Sequence, residues 1–392
     1  MKRFATSQVL CTVALTVSLL AASGIASAGT QYVVANDDAA YPFGTGVSFY
    51  TINANGLPIF LQQVQTGGYG IGGGYFGMNR LAVLNTSEQQ CVYASEATSG
   101  NIVGIAVNTL TVGGTASGSA TDGGTSNGIG LAMSSSYLYA SFSDSNTIGT
   151  FAVQPGCSLT FLNDTSVAGL QSGVINGMAL RGNMLIASYT DGSIESFDVS
   201  GGSPVSNGDK QYSTATVNSQ DATYANSIDI TSDGHYAIFG DTSTQLSVEI
   251  SDISSGKLTK TKIHQSATSI SASNILLSPD ETILYVVNTQ GDTVSALFFN
   301  ASTGQLSAGC RSGRIGGISQ NWSYLASAAL ISQSGNGSGI YVAEFGSSSG
   351  IATVALSGSG LQCTLKEASG SPALDPNSLG LLSIGTFPPR SF

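Results

Sequence analysis

His235 and His264 are the only imidazoles in a chain of 392 residues. A serine nucleophile needs a base within reach, most often histidine. His235 directly follows the turn Ser232-Asp233-Gly234, and His264 sits in a Lys-rich run that reads as an outer strand, so both are expected at the surface. No G-x-S-x-G elbow stands between a strand and a helix, and no Cys/His cluster has zinc spacing. Gly72-Gly73-Gly74 lacks the following Lys-Ser/Thr and helix of a phosphate cradle. Acidic pairs such as Asp37-Asp38 lack the spaced oxygens of a calcium loop. Neither a metal nor a cofactor is expected.

One set of polar residues does recur. Asn79, Asn127, Asn176, Asn226, Asn274 and Asn377 each stand just before a short apolar run, as in Asn176 before Met178-Ala179-Leu180 and Asn274 before Ile275-Leu276-Leu277. Asparagine at such a place caps a turn or bonds neighbouring backbone. If the runs line a common channel, six amides at their starts also form a polar ring at its mouth. With Arg80 beside Asn79, that ring suits a polar or weakly anionic ligand, whether small molecule, glycan or protein. Both readings stand at this level.

What would position these residues is a repeat of four β-rich runs. From Asn274 to Arg311 they are Ile275-Leu276-Leu277, Leu284-Tyr285-Val286-Val287-Asn288, Thr293-Val294-Ser295-Ala296-Leu297-Phe298 and Gln305-Leu306. They are separated by Ser278-Pro279-Asp280-Glu281, Gln290-Gly291-Asp292 and Ser302-Thr303-Gly304. No apolar stripe of period 3.6 appears, so helix is not expected. The second run recurs at Tyr32, Tyr93, Tyr139, Ile186, Ile238, Tyr285 and Tyr341, which makes seven copies. Four-stranded units this thin must cover one another's faces, and arranging them radially does so. The first copy lacks a first run, whereas Leu379-Gly380-Leu381-Leu382-Ser383-Ile384 is left over at the other end. The expected fold is therefore all-β: a seven-bladed propeller with four-stranded blades, closed by the C-terminal strand joining the N-terminal blade.

Composition agrees with a globular chain: 41% hydrophobic and only 9% charged residues, with 50 glycines. The net charge of −11 argues against nucleic acid as a partner, which needs a clustered cationic face. Lys2 and Arg3, the apolar run Val9–Ala22 and the small residues Ala26-Ser27-Ala28 form a secretory signal, expected to span 1–28 and to leave 29–392 as one propeller domain. No later segment is apolar enough to span a bilayer, so an exported, secreted or periplasmic monomer without membrane insertion is expected. Cys91, Cys157, Cys310 and Cys363 remain, an even number that invites disulfides in such a compartment. Pairing of sequence neighbours is the default. The blade template places Cys157 and Cys363 in blades across the ring from each other and leaves the pairing open.

Tyr285-Val286-Val287-Asn288 after Ser278-Pro279-Asp280 resembles the YVTN-type repeat of the seven-bladed lactonase propellers, the family of bacterial 6-phosphogluconolactonase-like and muconate-lactonising proteins. The resemblance covers essentially the whole mature chain. It implies hydrolysis of a sugar-acid lactone, with Arg80 as the one arginine placed to serve a central site and carboxylates such as Asp229 and Glu344 as bases. A His/Arg/Glu cluster like that of the muconate-lactonising relatives has no counterpart among these residues. Scarcity of catalytic residue types favours a binding or interaction platform. The lactonase is the alternative that the resemblance carries.

Overall fold

Each second strand is apolar on both faces, and this is why the sheets stand side by side around an axis rather than packing in a two-layer sandwich. Ile283–Asn288 is buried at every position, whereas the outer strand Thr111–Ser117 is mostly exposed. The computed structural model describes residues 31–37, 43–70, 79–118, 129–212, 225–241, 247–259, 262–265, 272–288, 291–316, 324–330, 339–345, 350–378 and 380–389. They form seven antiparallel sheets, each built from an inner, a second, a third and an outer strand; in blades 4 and 7 the outer strand is split into two short pieces. No α-helix occurs among the described residues.

The inner strands are Leu381–Phe387 in blade 1, Leu81–Asn85 in blade 2, Ile129–Met133 in blade 3, Ile175–Arg181 in blade 4, Ala225–Ile230 in blade 5, Ala272–Leu277 in blade 6 and Tyr324–Leu330 in blade 7. Each touches the inner strand of the blade before and after it, and the circuit closes on itself. Leu381–Phe387 pairs antiparallel with Tyr32–Asp37, Tyr32 opposite Phe387, so the last strand completes the first blade as expected. It begins two residues later and runs three further than the left-over run Leu379–Ile384.

Apolar side chains gather in seven clusters, one at each seam between adjacent blades. Tyr285, Ile340 and Val342 meet between blades 6 and 7, and Val33, Tyr341 and Leu381 between blades 7 and 1. Two seams are also bonded covalently: Cys91–Cys157 joins blades 2 and 3, and Cys310–Cys363 joins blades 6 and 7. Sequence neighbours therefore pair, because the outer part of each blade leans on the next.

Candidate functional site

Antiparallel pairing puts the start of each inner strand beside the end of the second strand of its blade, and together these form one mouth of the channel. Asn79, with φ +49°, stands just ahead of Arg80 and the inner strand of blade 2. Its carbonyl accepts from Leu131 N at 2.8 Å, and its Nδ2 donates to the Met178 carbonyl of blade 4 at 3.4 Å. Asn176 and Asn226 occupy the register shift where the inner strands of blades 4 and 5 carry one extra residue. Asn274 lies one register step further in, opposite Val287. Asn377 is exposed and precedes its strand by four residues, its backbone N donating to Asp375 Oδ1 at 2.9 Å. Asn127 and the side chain of Asn226 lie outside the described residues. Asn79, Asn176 and Asn274 thus each stand at the start of an inner strand, and Asn377 four residues ahead of its own.

Arg80 holds the register that Gly130, Gly177, Ser227, Asn274 and Ser383 hold in other blades. It is the one long cationic side chain among these small residues and is wholly buried. Its backbone N donates to Ser383 Oγ at 2.9 Å, which ties blade 2 to the closing strand.

Four of the seven facing ends of the second strands are acidic: Asp37, Glu96, Asp241 and Glu344 share one register position with Asn288, Phe142 and Tyr189. Glu96 is buried but satisfied: its Oε1 accepts from Thr45 Oγ1 at 3.0 Å and from Gly68 N at 2.9 Å. Asp37 accepts from Gly380 N at 3.2 Å and Gln63 Nε2 at 3.3 Å. Glu344 is equally buried, yet neither carboxyl oxygen finds a hydrogen bond among the described residues. At the two places corresponding to Thr45 and Gly68, blade 6 has Asp292 and Gly316. Asp292 binds Arg314 at 2.6 Å, and Gly316 N donates to Glu367 Oε2 at 2.8 Å instead of to Glu344. Burial first, and the nearby carboxylates Glu367 and Asp292 second, push the Glu344 carboxyl up to about 8. Gly316, at φ +88°, is a position where any Cβ would stand 2.5 Å from Glu344 Oε1.

Asp229 is committed elsewhere, accepting Leu277 N at 2.8 Å across the seam between blades 5 and 6. Blade 4 adds a group that sequence reasoning passed over. Glu195 accepts the Tyr189 hydroxyl at 2.9 Å and the Ser206 hydroxyl at 2.6 Å, and pairs with Lys210 at 3.0 Å. Burial, with Glu195 adding to it, holds the Tyr189 hydroxyl well above the usual phenol range. Aligning the last residues of the second runs would have exposed the acidic register; nothing in local spacing points to Glu195 or Lys210. His235 is exposed at the far end, paired with Asp233 at 3.0 Å, and His264 is in the outer strand Lys262–Gln265. Among the described residues no three His, Cys, Asp or Glu side chains group as metal ligands.

This arrangement offers a buried carboxyl of raised proton affinity, amides at the starts of inner strands and one buried cation. The family described as "Lactonase, 7-bladed beta-propeller" matches residues 86–382. No curated protein matches the chain. Among solved structures, a proposed 6-phosphogluconolactonase from Bacteroides fragilis shares 14% identity over 92% of this chain and 99% of its own, with a TM-score of 0.65. A functionally unknown protein from Desulfotomaculum acetoxidans shares 13% over 91% and 98%, with a TM-score of 0.62. A periplasmic gluconolactonase from Pseudomonas aeruginosa shares 14% over 67% and 76%, with a TM-score of 0.53. At these identities the structural likeness speaks for the fold alone.

Proposed function

The chain belongs to the lactonase family of seven-bladed β-propellers, and from that premise we propose that it is an exported lactonase-type hydrolase that opens a sugar-acid lactone at the channel mouth. The observation that carries this reading is the buried carboxyl of Glu344, which has no hydrogen bond among the described residues and whose proton affinity burial raises to about 8. A general base works best when it titrates near the working pH. In its ionised form Glu344 takes a proton from water as the water oxygen bonds to the lactone carbonyl carbon. The ring C–O bond then breaks, and the same proton returns to the departing ring oxygen. The product is a hydroxy acid, which ionises and acidifies the medium. Arg80 lends positive potential to the anionic intermediate, and Asn79, Asn176 and Asn274 supply neutral contacts for the sugar hydroxyls. Export is supported by the basic, apolar and small-residue N-terminal pattern and by the two disulfides, which persist in oxidising compartments.

Purified protein tested against a panel of aldonolactones with a pH indicator should release acid. The rate should rise about tenfold per pH unit below pH 8 and level off above it. Glu344→Gln should remove at least about two orders of magnitude of turnover. Saturable lactone binding without turnover, unchanged in that variant, would replace the enzyme by the binding platform that the mouth amides also suit.

A further inference from the structure

At the far end of the ring, away from the candidate site, a tyrosine stands in almost every seam. It comes from one of two register positions in the second strand. The first of these holds Tyr32, Cys91, Tyr137, Met184, Tyr236, Ile283 and Gly339 in blades 1 to 7; the second holds Val34, Tyr93, Tyr139, Ile186, Ile238, Tyr285 and Tyr341. Blade 4, with Met184 and Ile186, has a tyrosine at neither. The core it shares with blade 5 is the only one of the seven with no tyrosine among its described members.

The missing ring leaves space. In three of the other seams a tyrosine packs on a turn between the third and outer strands of the next blade. The ring of Tyr137 lies where a Cβ on Gly202 would be 3.1 Å away, and that of Tyr236 where one on Gly304 would be 2.5 Å away. The Tyr139 hydroxyl donates to the Gly202 carbonyl at 2.8 Å, and the Tyr341 hydroxyl to the Gly56 carbonyl at 2.6 Å. Gly256, with φ +77°, is the corresponding turn residue of blade 5. Nothing lies within 4 Å of where its Cβ would be, and its carbonyl receives no hydrogen bond from a described residue. In front of it opens a cavity of about 460 Å³, walled by Met184, Phe197, Ile230 and Ile253 and edged by Arg181 and Asp198.

We infer that this seam is a binding site for a small phenol, its ring taking the place that a tyrosine fills in the other seams. The apolar walls match a six-membered aromatic ring. The Gly256 carbonyl accepts the phenol hydroxyl as Gly202 and Gly56 accept theirs. The site lies at the other end of the channel from Glu344, so it stands whether or not the lactonase reading does.

The test uses p-cresol and protein labelled with ¹³C at its methionine methyl groups. A ring seated beside Met184 shifts that methyl resonance, with saturation in the millimolar range expected of so small a ligand. Met184→Tyr restores the residue type of blades 1, 3 and 5. It should weaken p-cresol binding at least about tenfold, read by saturation-transfer NMR on the ligand. Met184→Ala, which only widens the cavity, should keep binding. The site is overturned if p-cresol fails to saturate the wild-type protein, or shifts other methionine methyls while leaving Met184 in place. Equal binding to Met184→Tyr and wild type also overturns it.

Discussion

Glu344 and Glu96 hold the same register in blades 7 and 2, but their carboxyls meet opposite surroundings. Glu96 faces a hydroxyl and a backbone N–H, whereas Glu344 faces Asp292 and Glu367. The consequence for stability has a definite sign. Between about pH 4.5 and 8 the unfolded chain has released the Glu344 proton while the folded chain keeps it, so the contribution of this group falls as pH rises and flattens above about 8. Glu344→Gln should therefore be more stable than wild type at pH 8 and nearly equal to it at pH 4.5, as melting curves across that range would register. Glu96→Gln should instead cost about 1–3 kcal/mol in denaturant unfolding at neutral pH, because a charged acceptor of two hydrogen bonds is lost. The candidate site was only half legible in the chain. Asn79, Asn176 and Arg80 announce themselves by position ahead of an apolar run. The contrast between the two glutamates arises from Thr45, Gly68, Asp292 and Gly316, each from a neighbouring blade, and no local pattern records it.

At the scale of strands and turns, the four-beat repeat makes the blades readable, and the unpaired Leu379–Ile384 run makes their closure readable. The runs do not disclose the extra residue in the inner strands of blades 4 to 6. That residue sets Asn176 and Asn226 in one register and Asn274 in another. Nor does spacing decide the disulfides, since two blades meet only once their sheets are stacked. Replacing Cys91 and Cys157 together by Ser should cost about 2–4 kcal/mol, because the bond closes a loop across one full seam. Reducing agent should lower the wild-type melting temperature and leave a variant lacking Cys91, Cys157, Cys310 and Cys363 unmoved. The turn glycines separate backbone from ring contact. Gly256→Ala should cost only the strain of a positive φ, about 1 kcal/mol. Gly304→Ala should cost more in the same unfolding assay, because its methyl must also displace the Tyr236 ring.

Taken whole, the molecule is a ring whose stability is shared among seven similar seams, and no blade has a core of its own. Removing residues 380–392 takes the inner strand from blade 1 and parts that blade from blade 2, including the bond between Arg80 N and Ser383. We expect the truncated chain to lose its single cooperative transition and to be cut by protease within blade 1, while blades joined by disulfides survive longest. The closing strand also dictates an order of events during synthesis. Asp37 and Gly380, 343 residues apart, must meet before blade 1 has its fourth strand. Until the ribosome reaches the final stretch, the oldest part of the chain waits with one flank of unmatched amides and carbonyls open to any passing strand.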